Sequence, residues 1–181
     1  MAFIYSAPVP GNAAPDRAVT DTATHMPAEW EAHQRTWMAF PPPNATFGAV
    51  GSSTLDRARA AWTKVARTIA RYEPVTVVAD PRDATAAREW LGSGIDVVEV
   101  PLDDAWLRDS GPTFVHAADG SLAAVDWIFN GWGAQDWAAW GKDQEVARGI
   151  AAGANVPVRA SALVNEGGGF HADGEGTVLL T

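Results

Sequence analysis

The sequence predicts an α/β fold with mixed sheets, and three observations carry that reading. A β-branched run, Val75-Thr76-Val77-Val78-Ala79, stands between two segments of helical period. An Asp119-Gly120 pair separates two apolar runs, which is the signature of a hairpin. Strand and helix signals then follow one another as β, α, β, α, β, β-hairpin, α, β, the order of crossover units joined to antiparallel pairs.

Each element has its own local cause. Residues 1–25, rich in Ala, Pro, Thr and Asp, read as a disordered leader. The ordered part is read as 26–181, beginning at Met26-Pro27-Ala28-Glu29-Trp30-Glu31. Trp37-Met38-Ala39-Phe40 is a buried strand closed by three prolines. Leu55, Ala58, Trp62, Val65, Ala66, Ile69 and Ala70 recur at helical spacing, giving a helix over 54–71 capped by Ser53 or Thr54 and stopped before Pro74. After the strand at 75–79, residues 81–91 form a second helix, with Pro81 in its first turn and Gly92 past its end. Ile95 to Val100 is a strand, and 113–116 and 122–129 are the arms of the hairpin. Residues 143–152 suit a third helix, followed by short strands at 156–159 and 162–164. Residues 176–181 read as a strand just beginning, and hence as a truncation of a single domain.

Composition bounds the function. In 181 residues, 47% are apolar and 19% charged, the balance of one globular domain. The net charge is −9 with no Lys/Arg cluster, which argues against nucleic-acid binding and suits a small cationic ligand. There is no cysteine, so these residues hold no disulfide, no thiolate zinc site and no thiol nucleophile. No apolar run reaches ~18 residues, and the start lacks a secretory pattern, so no membrane partner is expected and a cytoplasmic location is the default.

Three segments carry chemistry. Asp103-Asp104-Ala105-Trp106-Leu107-Arg108-Asp109-Ser110-Gly111-Pro112 places three carboxylates, an Arg and an indole after a strand end. Two readings stand: Arg108 pairs with a carboxylate while Asp109 bonds amides of the Ser-Gly-Pro turn, or a carboxylate beside an aromatic wall receives a planar cation. A guanidinium presents five donors in a fixed fork and stacks on an indole. Asn165-Glu166-Gly167-Gly168-Gly169-Phe170-His171-Ala172-Asp173-Gly174 sets a carboxylate before glycines that permit close backbone approach. Here His171, Asp173 and Glu175 share one face if the segment is a strand, although a hydrogen-bonded hairpin turn is the plainer reading and no metal spacing supports a metal site. In Asp126-Trp127-Ile128-Phe129-Asn130-Gly131-Trp132-Gly133, Trp127 and Phe129 read as core, and Trp132 as either packing or pocket wall.

Taken in order, these motifs resemble the agmatine deiminases of the Porphyromonas-type peptidyl-arginine deiminase family, within the pentein superfamily. The resemblance rests on the Met26–Glu31 segment with Arg35-Thr36-Trp37-Met38, on Asp104–Pro112, on Val125-Asp126-Trp127 with Asn130–Gly133, and on Glu166–His171 with Asp173–Thr177. It covers 26–181 and implies a pentein-type α/β propeller of repeated ββαβ units, about two to three of five being present. It also implies a C–N hydrolase of linear amidines that converts agmatine to N-carbamoylputrescine and ammonia in putrescine and polyamine biosynthesis. A cysteine thiolate attacks the guanidinium carbon and water then hydrolyses the thiouronium, with no metal or organic cofactor.

Residue by residue, the resemblance makes Asp109 and Glu166 the catalytic carboxylates and Trp106, Asp104 and Trp132 substrate-lining groups. His171 is not the family's acid/base, which lies in a later Gly-His-x-Asp segment. That segment and the late cysteine segment are absent here, so this chain alone is expected to be inactive. Ala134 stands where the family usually has glycine. The alternatives are peptidyl-arginine as substrate, or a non-catalytic guanidine- or polyamine-binding remnant. A homodimer is a family expectation for the full-length protein.

Overall fold

The computed structural model describes the backbone of residues 2–5 and all of residues 24–181. The first sheet contains β1 (Ala2–Tyr5), β3 (His33–Ala39), β4 (Val75–Ala79) and β5 (Asp96–Glu99) in that spatial order. β1 runs antiparallel to β3, while β3, β4 and β5 are parallel. The second sheet contains β2 (Thr24–His25), β6 (Thr113–Ala117), β7 (Leu122–Ile128) and β8 (Val158–Val164), again in that order. Here β2, β6 and β7 are successively antiparallel and β8 is parallel to β7. β9 (Phe170–Ala172) and β10 (Val178–Leu180) form a separate antiparallel pair.

The strands inside the stretch read as a leader, Ala2–Tyr5 and Thr24–His25, extend these two sheets. The rest of that expectation, residue 1 and residues 6–23, lies outside the described residues.

The crossovers are helical. α1 (Ser53–Ile69) joins β3 to β4, and α2 (Ala84–Leu91) joins β4 to β5. α1 starts one residue earlier than its periodicity predicts, because Ser52 is the cap and its hydroxyl accepts the Leu55 N–H at 3.2 Å. α2 begins at Ala84, not 81: Pro81 sits in the turn before it, and Gly92 ends it with φ +77°. After α3 (Leu107–Ser110) and a turn labelled α4 (Gly131–Ala134), helix α5 (Val146–Ala154) joins β7 to β8. The two short strands expected after α5 are one continuous strand, β8.

Period-two alternation divides the core. Met38 and Phe40 of the β3 run, with Val75, Val77 and Ala79 of β4, face Ala66 of α1 and Ala87 and Leu91 of α2. Trp37, Ala39 and Val78 point the other way, into a second core containing Val146, Ile150 and Ala151 of α5 with Phe114 and Ala124 of the second sheet. β4 is therefore buried on both faces, as its uninterrupted apolar run requires.

α5 packs on both sheets: it shares a core with Phe114 and Ala124 of the second and is pressed against the end of the first. A Cβ on Gly149 would lie 2.8 Å from Val100 Cγ1, and one on Gly153 would lie 3.7 Å from Val98. Glycine at these places lets the helix approach the sheet closely.

Candidate functional site

The segment Asp103–Pro112 leaves the end of β5, and its one-turn helix α3 carries Asp109. Asp109 Oδ1 accepts the Gly168 N–H at 3.1 Å, and Oδ2 accepts the Trp132 indole N–H at 3.3 Å. The carboxylate thus ties together the three chemistry-bearing segments. It does not bond the amides of its own Ser-Gly-Pro turn, as the local reading allowed. Arg108 does pair with a carboxylate, but that of Glu29, far back in the chain.

Gly167 and Gly168 are required for this approach. A Cβ on Gly167 would overlap the Arg108 carbonyl oxygen, and one on Gly168 would overlap Asp109 Oδ1. The glycines admit a neighbouring segment of the protein itself. Glu166 leads into them in extended backbone, half-buried, and its carbonyl accepts the Gly169 N–H at 2.9 Å.

Trp132 is set by unusual backbone. Gly131, Trp132, Gly133 and Ala134 all have positive φ, at +64°, +57°, +87° and +58°. Ala134 N–H donates to Asn130 O at 2.8 Å and Gln135 N–H to Gly131 O at 3.2 Å, so the segment is a left-handed helical turn. Asn130 Oδ1 caps it through the Gly133 N–H at 2.9 Å. The turn lays the Trp132 ring parallel to Trp137, centroids 5.4 Å apart, and edge-on to Phe129 at 5.2 Å. Trp137 is 62% exposed and had no role in the sequence reading. Between the two expectations for Trp132, the structure places it against Asp109 with this stacked partner. Phe129 is core, whereas Trp127 is only half-buried.

Asp104 and Trp106 form a second group. Asp104 is buried, with Oδ1 accepting the Ala105 N–H at 2.8 Å and Oδ2 the Thr46 hydroxyl at 3.2 Å. Burial raises its proton affinity above that of an ordinary carboxyl, against these hydrogen bonds. Trp106 caps α3 and packs on Phe47 and Trp62 at 6.0 and 5.9 Å. The aromatic partner of Asp109 is therefore Trp132, and Trp106 stands with Asp104 at the other end of the one-turn helix.

His171 lies in β9, its Nδ1 3.8 Å from Glu29 and its ring 6.4 Å from that of Trp30. Asp173 is not on a shared strand face with it. It forms the turn, Oδ1 accepting the Glu175 and Thr177 N–H groups at 2.7 and 3.0 Å, so the hairpin reading of this segment holds. Among the described residues no cluster of His, Asp or Glu has metal-binding geometry, and no helix is long and apolar enough to cross a membrane.

The architecture repeats. Each sheet holds an antiparallel pair followed by a helical crossover to a parallel strand, β1-β3-α1-β4 and β6-β7-α5-β8, and β9–β10 is a third antiparallel pair. Such repeated units define a pentein-type α/β protein, the fold of the solved structures it matches.

The chain belongs to the Porphyromonas-type peptidyl-arginine deiminase family, whose model matches residues 25–181. It is 62% identical over 156 residues to a Streptomyces coelicolor protein named "Putative agmatine deiminase", covering 86% of this chain and 45% of that one. It is 46% identical over 164 residues to the agmatine deiminase of Stutzerimonas stutzeri, covering 87% of this chain and 43% of the relative. The structure of an Enterococcus faecalis agmatine deiminase superposes with a TM-score of 0.81 at 33% identity, over 92% of this chain and 47% of that one. The chain thus spans less than half the length of the relatives it matches.

Proposed function

We propose that these residues form the substrate-side part of an agmatine deiminase, an amidine C–N hydrolase. In the reaction, a cysteine thiolate adds to the guanidinium carbon, the C–N bond to the terminal nitrogen breaks and ammonia leaves with a proton. Water then adds to the thiouronium carbon, expels the thiolate and leaves N-carbamoylputrescine. The nucleophile and the acid/base belong to segments that are not among these residues.

Asp109 is the proposed guanidinium anchor, and Glu166, two residues before the Gly168 that bonds Asp109, is the proposed second carboxylate. A paired carboxylate holds the planar cation in one orientation and keeps its carbon electrophilic. Trp132 supplies a ring face, and Asp104 and Trp106 line the approach. The observation that carries this reading is the Asp109 carboxylate fixed by one backbone and one indole N–H, in front of the stacked Trp132–Trp137 pair. Two N–H donors leave further lone pairs of a carboxylate available to a guanidinium fork.

Calorimetric titration of the chain with agmatine tests it. Binding should be lost in Asp109→Ala, by at least ~10-fold in Kd, because a charge-assisted pair of hydrogen bonds disappears. Equal binding by both proteins would sink the assignment. No ammonia should be released from agmatine by this chain alone, and release above background would overturn the placing of the nucleophile elsewhere. Repeating the titration with an arginine-containing peptide separates agmatine from peptidyl-arginine as the preferred ligand.

A further inference from the structure

Asp103 and the Lys142-Asp143 pair are bound to each other reciprocally, in a way the guanidinium site does not by itself require. Asp143, only 3% exposed, points its Oδ1 at the N–H groups of Asp103 (2.7 Å) and Asp104 (3.3 Å). In return Asp103 Oδ2 accepts the Lys142 N–H at 2.8 Å. Lys142 Nζ closes the arrangement, 3.0 Å from Asp80 and 3.6 Å from Asp103. The clasp therefore joins the start of the turn before α5 to the loop that runs through Asp104 and Trp106 straight into Asp109.

We propose that Asp143 is a positioning residue of the guanidinium site, holding the Asp103–Trp106 loop through its two backbone amides. The inference rests on the reading of that loop as part of an agmatine site. Asp143 does not reach the reacting atoms; it acts through Asp103 and Asp104.

The clasp also senses pH in the neutral range. Burial, with the nearby Asp103 and Asp104 carboxylates adding to it, pushes the Asp143 carboxyl up to about 7, against the two amide hydrogen bonds. The charged groups around it are those two aspartates, Lys142 on its own segment, and Asp80 with its partner Arg82 beyond the lysine. An ionised acceptor holds amide N–H groups more tightly than a neutral one. As Asp143 ionises, its own hydrogen bonds to the two loop amides strengthen and the site becomes more negative, so a cation binds better, while burial of the new charge lowers the stability of the fold as a whole.

The test uses the 181-residue chain labelled with nitrogen-15, and Asp143→Asn, which keeps an oxygen acceptor but cannot ionise. Between about pH 5.5 and about pH 8.5, the Asp103 and Asp104 amide resonances and the Trp106 indole resonance should shift together with one midpoint near 7. In Asp143→Asn all three should stay flat while core resonances such as Phe114 remain in place. The same titration in the variant, or amides that move while the Trp106 indole does not, would overturn the proposal.

Agmatine gives the second readout: about five-fold tighter binding at the high end of the range for the parent chain, and pH-independent binding for Asp143→Asn. Agmatine binding with an unchanged pH dependence in the variant would refute the positioning role. A coupled resonance titration without agmatine binding at any pH would instead uphold the clasp and refute the guanidinium reading.

Discussion

Gly167 shows most directly how single residues build the site. Its hydrogen stands where a methyl group would run into the Arg108 carbonyl, a backbone atom that cannot rotate away. Gly167→Ala should therefore cost ~1–3 kcal/mol of stability by overpacking and pull Gly168 N–H off Asp109. A lowered Tm together with a shifted Trp132 indole resonance checks it; an unchanged Tm would refute the packing argument. At this scale the sequence was partly readable. Asp109, Glu166 and Trp132 stand out because charge, glycine and indole are unusual in such company. The Glu29–Arg108 pair and the Asp143 clasp are not visible, because each joins residues that only the tertiary fold brings together. The fork between a turn-bound Asp109 and a cation-binding one could not be resolved locally either, since its partners come from two distant segments.

At the scale of elements, the left-handed turn is the most informative. Trp132 and Ala134 carry side chains in a backbone region that disfavours them by ~1–2 kcal/mol each. Ala134 makes no compensating side-chain hydrogen bond, so Ala134→Gly should stabilise the protein by about 1 kcal/mol and raise Tm by a few degrees. A lower Tm would mean that the methyl group contributes packing that outweighs the strain. Nothing in the hydrophobic period announces such a turn, because left-handed backbone has no pattern of its own beyond glycine, and a tryptophan conceals it. By contrast β4, α1 and the β6–β7 hairpin were legible almost to the residue, for here β-branching, helical period and an Asp-Gly turn agree with the tertiary packing. β8 was read as two pieces because Arg159, Ser161 and their neighbours interrupt its apolar pattern, while the parallel ladder to β7 keeps it continuous apart from a bulge.

For the whole molecule, buried carboxyls set the response to pH. Asp143 binds its proton more tightly folded, with a value of about 7, than at its ordinary 3.8. Its stabilising contribution is complete below about pH 4 and is lost as pH climbs through 7, by up to about 4 kcal/mol. Asp80 acts in the other direction. Burial opposes its ionisation, but Arg82 and Lys142 override that and hold it well below the usual carboxylate range, so its contribution is lost only in strong acid. Denaturant unfolding near pH 4.5 and near pH 7.5 should therefore show parent stability falling across this interval, and Asp143→Asn should flatten the fall. An equal fall in the variant would locate the effect in another group.

The seating of α5 has a consequence for motion. A helix wedged between the two sheets, with Gly149 against Val100 on one side and Ile150 in a core with Phe114 and Ala124 on the other, couples the position of each sheet to the other. Neither sheet can shift far without first displacing this one helix.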